Sequence, residues 1–198
     1  MSGPTTGAAP ATSAQVTLAA EARRARLGVK GPGAAQWLVA QGVVLPMAAN
    51  TWHSALANEA RQSLLVARLG SAEFFLEEGA PSQLLARLKQ GLESRPGGVY
   101  PVLREDSGFT MGGAAVHDVL NQVCNIDFAG MPLDGNPLVM TLMMGVSVLV
   151  VPYGNAVGRT YRIWCDPTFG EYLGDELATI VGEFGGTYRG VQDESRSS

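Results

Sequence analysis

The residues of this 198-residue chain whose types invite chemistry are two histidines, two cysteines, a short glycine run and a few charged clusters. His117 stands beside Asp118 in a stretch with helical spacing, a pairing that would suit acid–base work. Neighbours on a helix point about 100° apart, so Asp118 does not orient the imidazole, and His117 is expected at or near the surface. His53 follows Trp52 in an apparent loop, where no partner is legible. Cys124 and Cys165 form no CxxC, and with two histidines there is no spaced ligand set for structural zinc. Both are expected to be small buried hydrophobes. Gly31-Pro32-Gly33 lies between a strand-like and a helix-like segment, but the dinucleotide fingerprint G-x-G-x-x-G fails at Gln36. No acidic residue follows at the distance of ~20 that would hold a ribose, so a tight strand-to-helix turn is the reading. No Walker loop, HExxH or G-x-S-x-G occurs.

Glu77-Glu78, Arg104-Glu105-Asp106 and the Arg23, Arg24, Arg26 trio beside Glu21 read as solvated strand ends. Met140, Met143 and Met144 read as core filler. The residues alone thus assign no catalytic, cofactor-binding or metal position. Trp37 and Trp52 are the two candidates for an interface, Trp37 with a core role as its alternative.

Several elements must position these groups. Residues 27–30 read as a strand, and Ala34, Trp37, Leu38 and Gln41 follow at helical spacing with Pro32 suited to the first turn. Residues 63–69 and 74–77 read as a hairpin with a four-residue connection. Pro81 and Ser82 open a helix whose apolar stripe is Leu84, Leu85, Leu88 and Leu92. The series then restarts: residues 107–123 lie over 26–42 at an offset of 81, pairing Gly31 with Gly112, Ala34 with Ala115 and Leu38 with Val119. Residues 147–154 lie over 63–70, and 161–164 over 74–77. Asp166 caps a final helix with Pro167 in its first turn and a core stripe of Phe169, Leu173, Leu177, Ile180 and Phe184. The expected fold is α+β: one pseudo-symmetric domain over 21–187, built of two strand-helix-strand-strand-helix halves, about 24–95 and 99–186. Residues 1–20 are expected as a flexible tail and 188–198 as another.

Composition bounds what such a domain does. Hydrophobic residues make up 46% and charged residues 16%, against roughly 25% charged in typical soluble domains. With mean hydropathy +0.10, a surface this short of charge predicts burial against a partner. A net charge of −4 offers no basic field for nucleic acid. The apolar run 138–151 is too short for a membrane-spanning helix, which needs ~20 residues. Residues 1–15 lack the pattern of a secretory signal, so a cytoplasmic location is expected.

RLGVKGPGAAQWL (residues 26–38), NTW (50–52), ARLGSAEFFLEE (67–78), VLREDSGFTMGGAAVHDVLNQVCNIDF (102–128) and RTYRIWCDPTFGEYL (159–173) together resemble the gamma subunit of heterotetrameric sarcosine oxidase. The likeness covers nearly all of 24–186. It implies a fold similar to the folate-binding domain of aminomethyltransferase and a scaffolding role in a complex that oxidatively demethylates sarcosine to glycine, passing the one-carbon unit to tetrahydrofolate. It also implies alpha, beta and delta partner subunits, with FAD, covalent FMN and NAD on the two large subunits, zinc on the smallest, and none of these on the gamma chain. Two alternatives stay open: the same role in a sister complex acting on another N-methylated amine, and a free-standing folate-binding module.

Overall fold

The computed structural model describes residues 15–57, 62–79, 83–155 and 158–191. Two antiparallel-rich sheets and four helices form a mixed α+β architecture. The first sheet in chain order holds β2 (Arg26–Lys30), β3 (Thr51–Ala57), β4 (Gln62–Arg68), β5 (Glu73–Glu78) and β6 (Tyr100–Val102), in the order β3-β4-β5-β2-β6. The second holds β1 (Thr17–Ala20), β7 (Ser107–Gly112), β8 (Val139–Met143), β9 (Val146–Asn155), β10 (Gly158–Cys165) and β11 (Thr187–Arg189), in the order β11-β1-β7-β10-β9-β8. Helices α1 (Ala34–Ala40) and α2 (Gln83–Glu93) pack on the first sheet, α3 (Val116–Val123) and α4 (Gly170–Glu183) on the second.

Strand alternation produces the layering. On β4, Leu64 and Val66 pack with the helices of the first sheet, whereas Leu65 and Ala67, with Leu69 just past the strand, join a separate apolar cluster with Leu149, Val151 and Trp164. On β9, Val148 and Val150 face α3 and α4 while Leu149 and Val151 face the other sheet. The order is therefore helices, sheet, sheet, helices, with a third core sealed between the sheets.

Several sequence expectations change. Residues 17–20 are not tail: β1 sits between β11 and β7, with Val16 and Leu18 fully buried. β11 likewise carries order two residues into the expected C-terminal tail. The remainder of both tails, 1–14 and 192–198, and the Pro81-Ser82 helix start lie outside the described residues. β3 was legible only as loop. The run 138–151 is a hairpin, turned at Met144 (φ 51°) and Gly145 (φ 82°), as a two-residue type I′ connection requires. Asp166 does cap the last helical segment, accepting from the Thr168 amide at 2.9 Å. Its core stripe is Gly170, Leu173, Gly174, Leu177 and Val181, whereas Phe169 is half exposed because a 3-10 turn precedes α4 and rotates the face.

The chain turns with left-handed backbone at Gly31 (φ 116°) before α1 and at Gly113 (φ 126°) before α3. Ala34 and Leu38 of α1 and Val116 and Leu120 of α3 are all buried. Both glycines are needed, since a Cβ on Gly31 would collide with the Gly98 carbonyl and one on Gly113 would lie 2.5 Å from the Gln15 carbonyl oxygen.

Candidate functional site

Charged residues converge where the two sheets face each other. The alternation that turns Tyr161, Ile163 and Cys165 of β10 toward α3 and α4 turns Arg162 and Trp164 inward. On β5 the same rule sends Phe74 and Leu76 to the helices and Glu77 inward. Arg26 from β2, Glu21 from the β1–β2 connection and Thr110 from β7 complete the group. Glu77, 1% exposed, accepts from Arg26 Nε at 2.6 Å, Arg162 Nη2 at 2.6 Å and Trp164 Nε1 at 2.9 Å. Glu21 accepts from Thr110 Oγ1 at 2.5 Å and from Arg162 through both Nε, at 2.8 Å, and Nη2. Arg26 also donates to the Asp106 carbonyl, and the Arg162 guanidinium lies 4.6 Å from the Trp164 ring centre.

Burial pushes the Glu21 carboxyl up, but the hydrogen bonds and charge of Arg162, with Thr110 and Arg24, outweigh it and hold it below its ordinary value. Burial works against the Arg162 charge, yet Glu21 and Glu77 raise its pKa above the usual arginine range. Two carboxylates thus face two guanidinium groups, and each of the four carboxylate oxygens accepts at least one hydrogen bond. The cluster ties the sheets together and leaves no carboxylate poised as a free base.

A cavity of about 360 Å³ opens beside this cluster, lined by Trp52, Ser54, Thr110, Tyr153, Arg24 and Arg162 among others. Trp52 Nε1 is buried there with no partner among the described residues. Burial raises the pKa of the Tyr153 phenol, so it keeps its proton at neutral pH. The wall therefore presents N–H and O–H donors from Trp52, Tyr153 and Ser54 beside Glu21 and Glu77, whose carboxylates are engaged by Arg26 and Arg162.

Sequence reading missed this assembly. Glu77, Glu78 and Arg26 were expected in solvent, but all three are buried, Glu78 capping α2 by accepting from the Leu85 amide at 3.0 Å. Asp106 and Arg104 are half-buried, Arg104 lying over the Phe75 ring at 5.6 Å. Arg23 and Arg24 are exposed as expected. The available signal was inward-turned charge on strands whose other face is wholly apolar, as in Tyr161-Arg162-Ile163-Trp164.

The remaining candidates fall elsewhere. Trp37 lies along the first core with its ring against Gly91 of α2, bridging α1 and α2. Trp52 is half-buried against the inter-sheet core. Trp52→Phe, which removes an N–H without a partner, is expected to hold or slightly raise the melting temperature, whereas Trp52→Ala costs about 1–3 kcal/mol in denaturant titration. His53 Nε2 is 2.7 Å from the Val44 carbonyl. Cys124 and Cys165 are buried free thiols, with Cys165 pushed up to about 11 by burial and by the charges of Asp106 and Asp166, so neither is a ready nucleophile. Of the three methionines Met143 is core, but Met140 is half exposed. The Gly31-Pro32-Gly33 turn spends its amides internally: Gly31 N–H goes to the Ala72 carbonyl at 2.9 Å and Gly33 N–H to the Gly98 carbonyl at 3.0 Å. It has no cradle to offer a phosphate.

His117 Nε2 is 2.7 Å from the buried Tyr161 hydroxyl. Burial first, then the charge of Arg159, lowers its pKa below 6.5. A lowered native value means the unfolded chain binds the proton more readily. This contribution to stability is full above about pH 6.5 and is lost as pH falls through the native value. Unfolding titrations from pH 7 to 5 are expected to show a stability slope that His117→Gln flattens.

Among the described residues no cluster of His, Cys, Asp or Glu is arranged to hold a metal ion, and no helix is long and apolar enough to cross a membrane. No family model and no curated protein matches the sequence. Solved structures do match. A chain of the heterotetrameric sarcosine oxidase from Corynebacterium sp. U-96 is similar at 26% identity with a TM-score of 0.69, over 89% of each chain. The glycine cleavage system aminomethyltransferase T from Bartonella henselae is similar in fold, at 16% identity with a TM-score of 0.62 over 90% of this chain. This chain spans about half of that protein, 48% of its length. The resemblance carried by residues 24–186 therefore extends to the three-dimensional fold.

Proposed function

We propose that this chain is a non-catalytic gamma-type subunit of a multi-subunit, flavin-dependent sarcosine oxidase. In this reading alpha, beta and delta subunits surround it in the cytoplasm and carry the FAD, FMN, NAD, zinc and tetrahydrofolate sites. The observation that carries it is the reciprocal coverage: the likeness to the sarcosine oxidase chain runs nearly end to end in both. The two halves, with corresponding sheet orders, are read as copies of one duplicated unit.

The site chemistry supports a role without catalysis. The inward carboxylates are saturated by arginines, the thiols hold their protons, and the one glycine turn that invites a phosphate is closed on itself. Such a chain contributes by covering its partners. It would help wall off the route by which an unstable imine passes between amine oxidation and the folate site, excluding the water that would hydrolyse it.

The test is affinity capture of the tagged full chain from its native cell, with mass spectrometry, an absorption spectrum and a sarcosine turnover assay on the eluate. Two large co-eluting chains with a flavin spectrum and turnover of sarcosine are expected. A flavin complex that turns over a different N-methylated amine instead supports the sister enzyme. The cavity beside Trp52 favours a second reading, a free-standing folate-binding module. On that reading tetrahydrofolate quenches the tryptophan fluorescence of the solitary chain and Trp52→Phe weakens binding; the subunit reading expects no such binding.

A further inference from the structure

We infer that the outer edge of β8, with the groove beside it, is the docking site for an extended, positively charged segment of a partner subunit; this deepens the subunit reading and rests on it. β8 is the last strand of its sheet, paired with β9. Just before it the Leu138 N–H donates to the Asn50 carbonyl and the Asn136 carbonyl accepts from the Trp52 N–H, so among the described residues the outer edge is free from Met140 onward. Met143 and Val146 close its two-residue hairpin and so form a hydrogen-bonded pair, as then do Thr141 with Val148. The N–H and C=O groups of the alternate residues, Met140 and Leu142, therefore point outward along the free edge.

The same two residues carry the exposed side chains. Met143 is buried against α3 and α4, so Met140 and Leu142 lie on the inter-sheet face, Met140 opposite the buried Leu149. The neighbouring sheet does not reach them: they are 54% and 59% exposed, and Leu103 across the groove is 82% exposed. The groove measures about 710 Å³. Free ladder groups and alternating uncovered apolar side chains on one strand are what strand addition uses.

Charge selects the occupant. Glu73, Glu105, Asp106 and Asp166 line the groove against one guanidinium, Arg104, which pairs with Glu73 at 3.3 Å and Asp106 at 3.6 Å. Asp106 Oδ2 is buried without a partner among the described residues, an acceptor that lacks its donor. Arg104 Nε is likewise unpartnered, but its guanidinium lies over the Phe75 ring. A second copy of this chain would bring its own carboxylates to the same rim, so self-pairing along β8 is opposed by like charge. A partner strand whose groove-facing alternate residues are apolar with a lysine or arginine among them meets all three features.

The test uses the full chain in its captured complex. The photo-reactive residue p-benzoylphenylalanine is placed at position 142, the assembly is irradiated, and the attached peptide is sequenced. A cross-link to an apolar segment of another subunit bearing lysine or arginine is expected. Leu142→Lys and Glu105→Lys, each at an unobstructed position, are expected to weaken assembly tenfold or more while leaving the melting temperature of the isolated chain unchanged. A complex that forms equally well with both variants, or a cross-link to an acidic segment or to a second copy of this chain, overturns the docking site and leaves the subunit reading intact. A chain that captures no stoichiometric partner overturns both.

Discussion

Replacing Glu77 with alanine is expected to cost about 3–5 kcal/mol of folding stability, the range for removing one partner of a buried ion pair. The magnitude follows from what remains behind. The Arg26 side chain is 2% exposed and loses the carboxylate its Nε donates to, while Arg162 keeps Glu21 and Trp164 Nε1 loses its acceptor. Against a total of about 5–15 kcal/mol for a domain, the loss takes a large share. In urea titration the midpoint should fall with the slope nearly unchanged. Glu77→Leu combined with Arg26→Met is expected to be less damaging than Glu77→Ala alone, because no bare charge remains. A Glu77→Ala chain within about 0.5 kcal/mol of the parent would mean that the network contributes nothing to holding the sheets. Acid should weaken the same clamp. The native Glu21 pKa lies below 4.5, so its contribution is complete above about pH 4.5 and drains away as pH drops through the native value.

Removal of residues 1–20 is expected to be as severe. Composition marks this segment as dispensable, yet Val16 and Leu18 are fully buried and β1 is hydrogen-bonded on both sides. Burying each of those side chains contributes about 1.5–3 kcal/mol. Without β1, β7 becomes an exposed edge and β11 has no neighbour. Near-UV circular dichroism and a denaturant titration of the shortened chain should show lost tertiary signal or a midpoint far below the parent. Leu18→Ala is the graded version, at about 2–5 kcal/mol. A shortened chain that melts with the parent would contradict the placement of β1.

How legible this molecule was in sequence depended on whether local pattern or distant partners decide each element. Helices α1 to α4 announce themselves through glycine or proline at their starts and leucine or valine stripes, and the β4–β5 hairpin through its two apolar runs around Gly70. β1 is four residues of Thr, Leu and Ala whose burial depends on strands nearly 100 and 170 positions away, so nothing local marks it. Gly112 and Gly113 are adjacent, and only backbone conformation tells which one turns the chain. The charged cluster was hidden for a different reason. A glutamate or arginine at a strand end looks solvated until another sheet is known to cover it, and Arg26, Glu77 and Arg162 become partners only through packing between the sheets. Trp52 reads in sequence as an interface candidate; that its N–H lacks a partner among the described residues and faces a cavity is something no spacing reveals.

The placement of β1 and β6 has a consequence for how the chain comes apart. β1 leads into the first half but belongs to the second sheet, and β6 leads into the second half but belongs to the first. Each half thus lends its opening strand to the other, an exchange within one molecule of the kind that usually links two. Neither half holds a complete sheet by itself, so heat should melt the chain in one cooperative step rather than two. Pairings this distant in sequence also make for slow folding. Cleaved within 94–98, the chain would yield two fragments that are each unfinished alone and complementary when mixed.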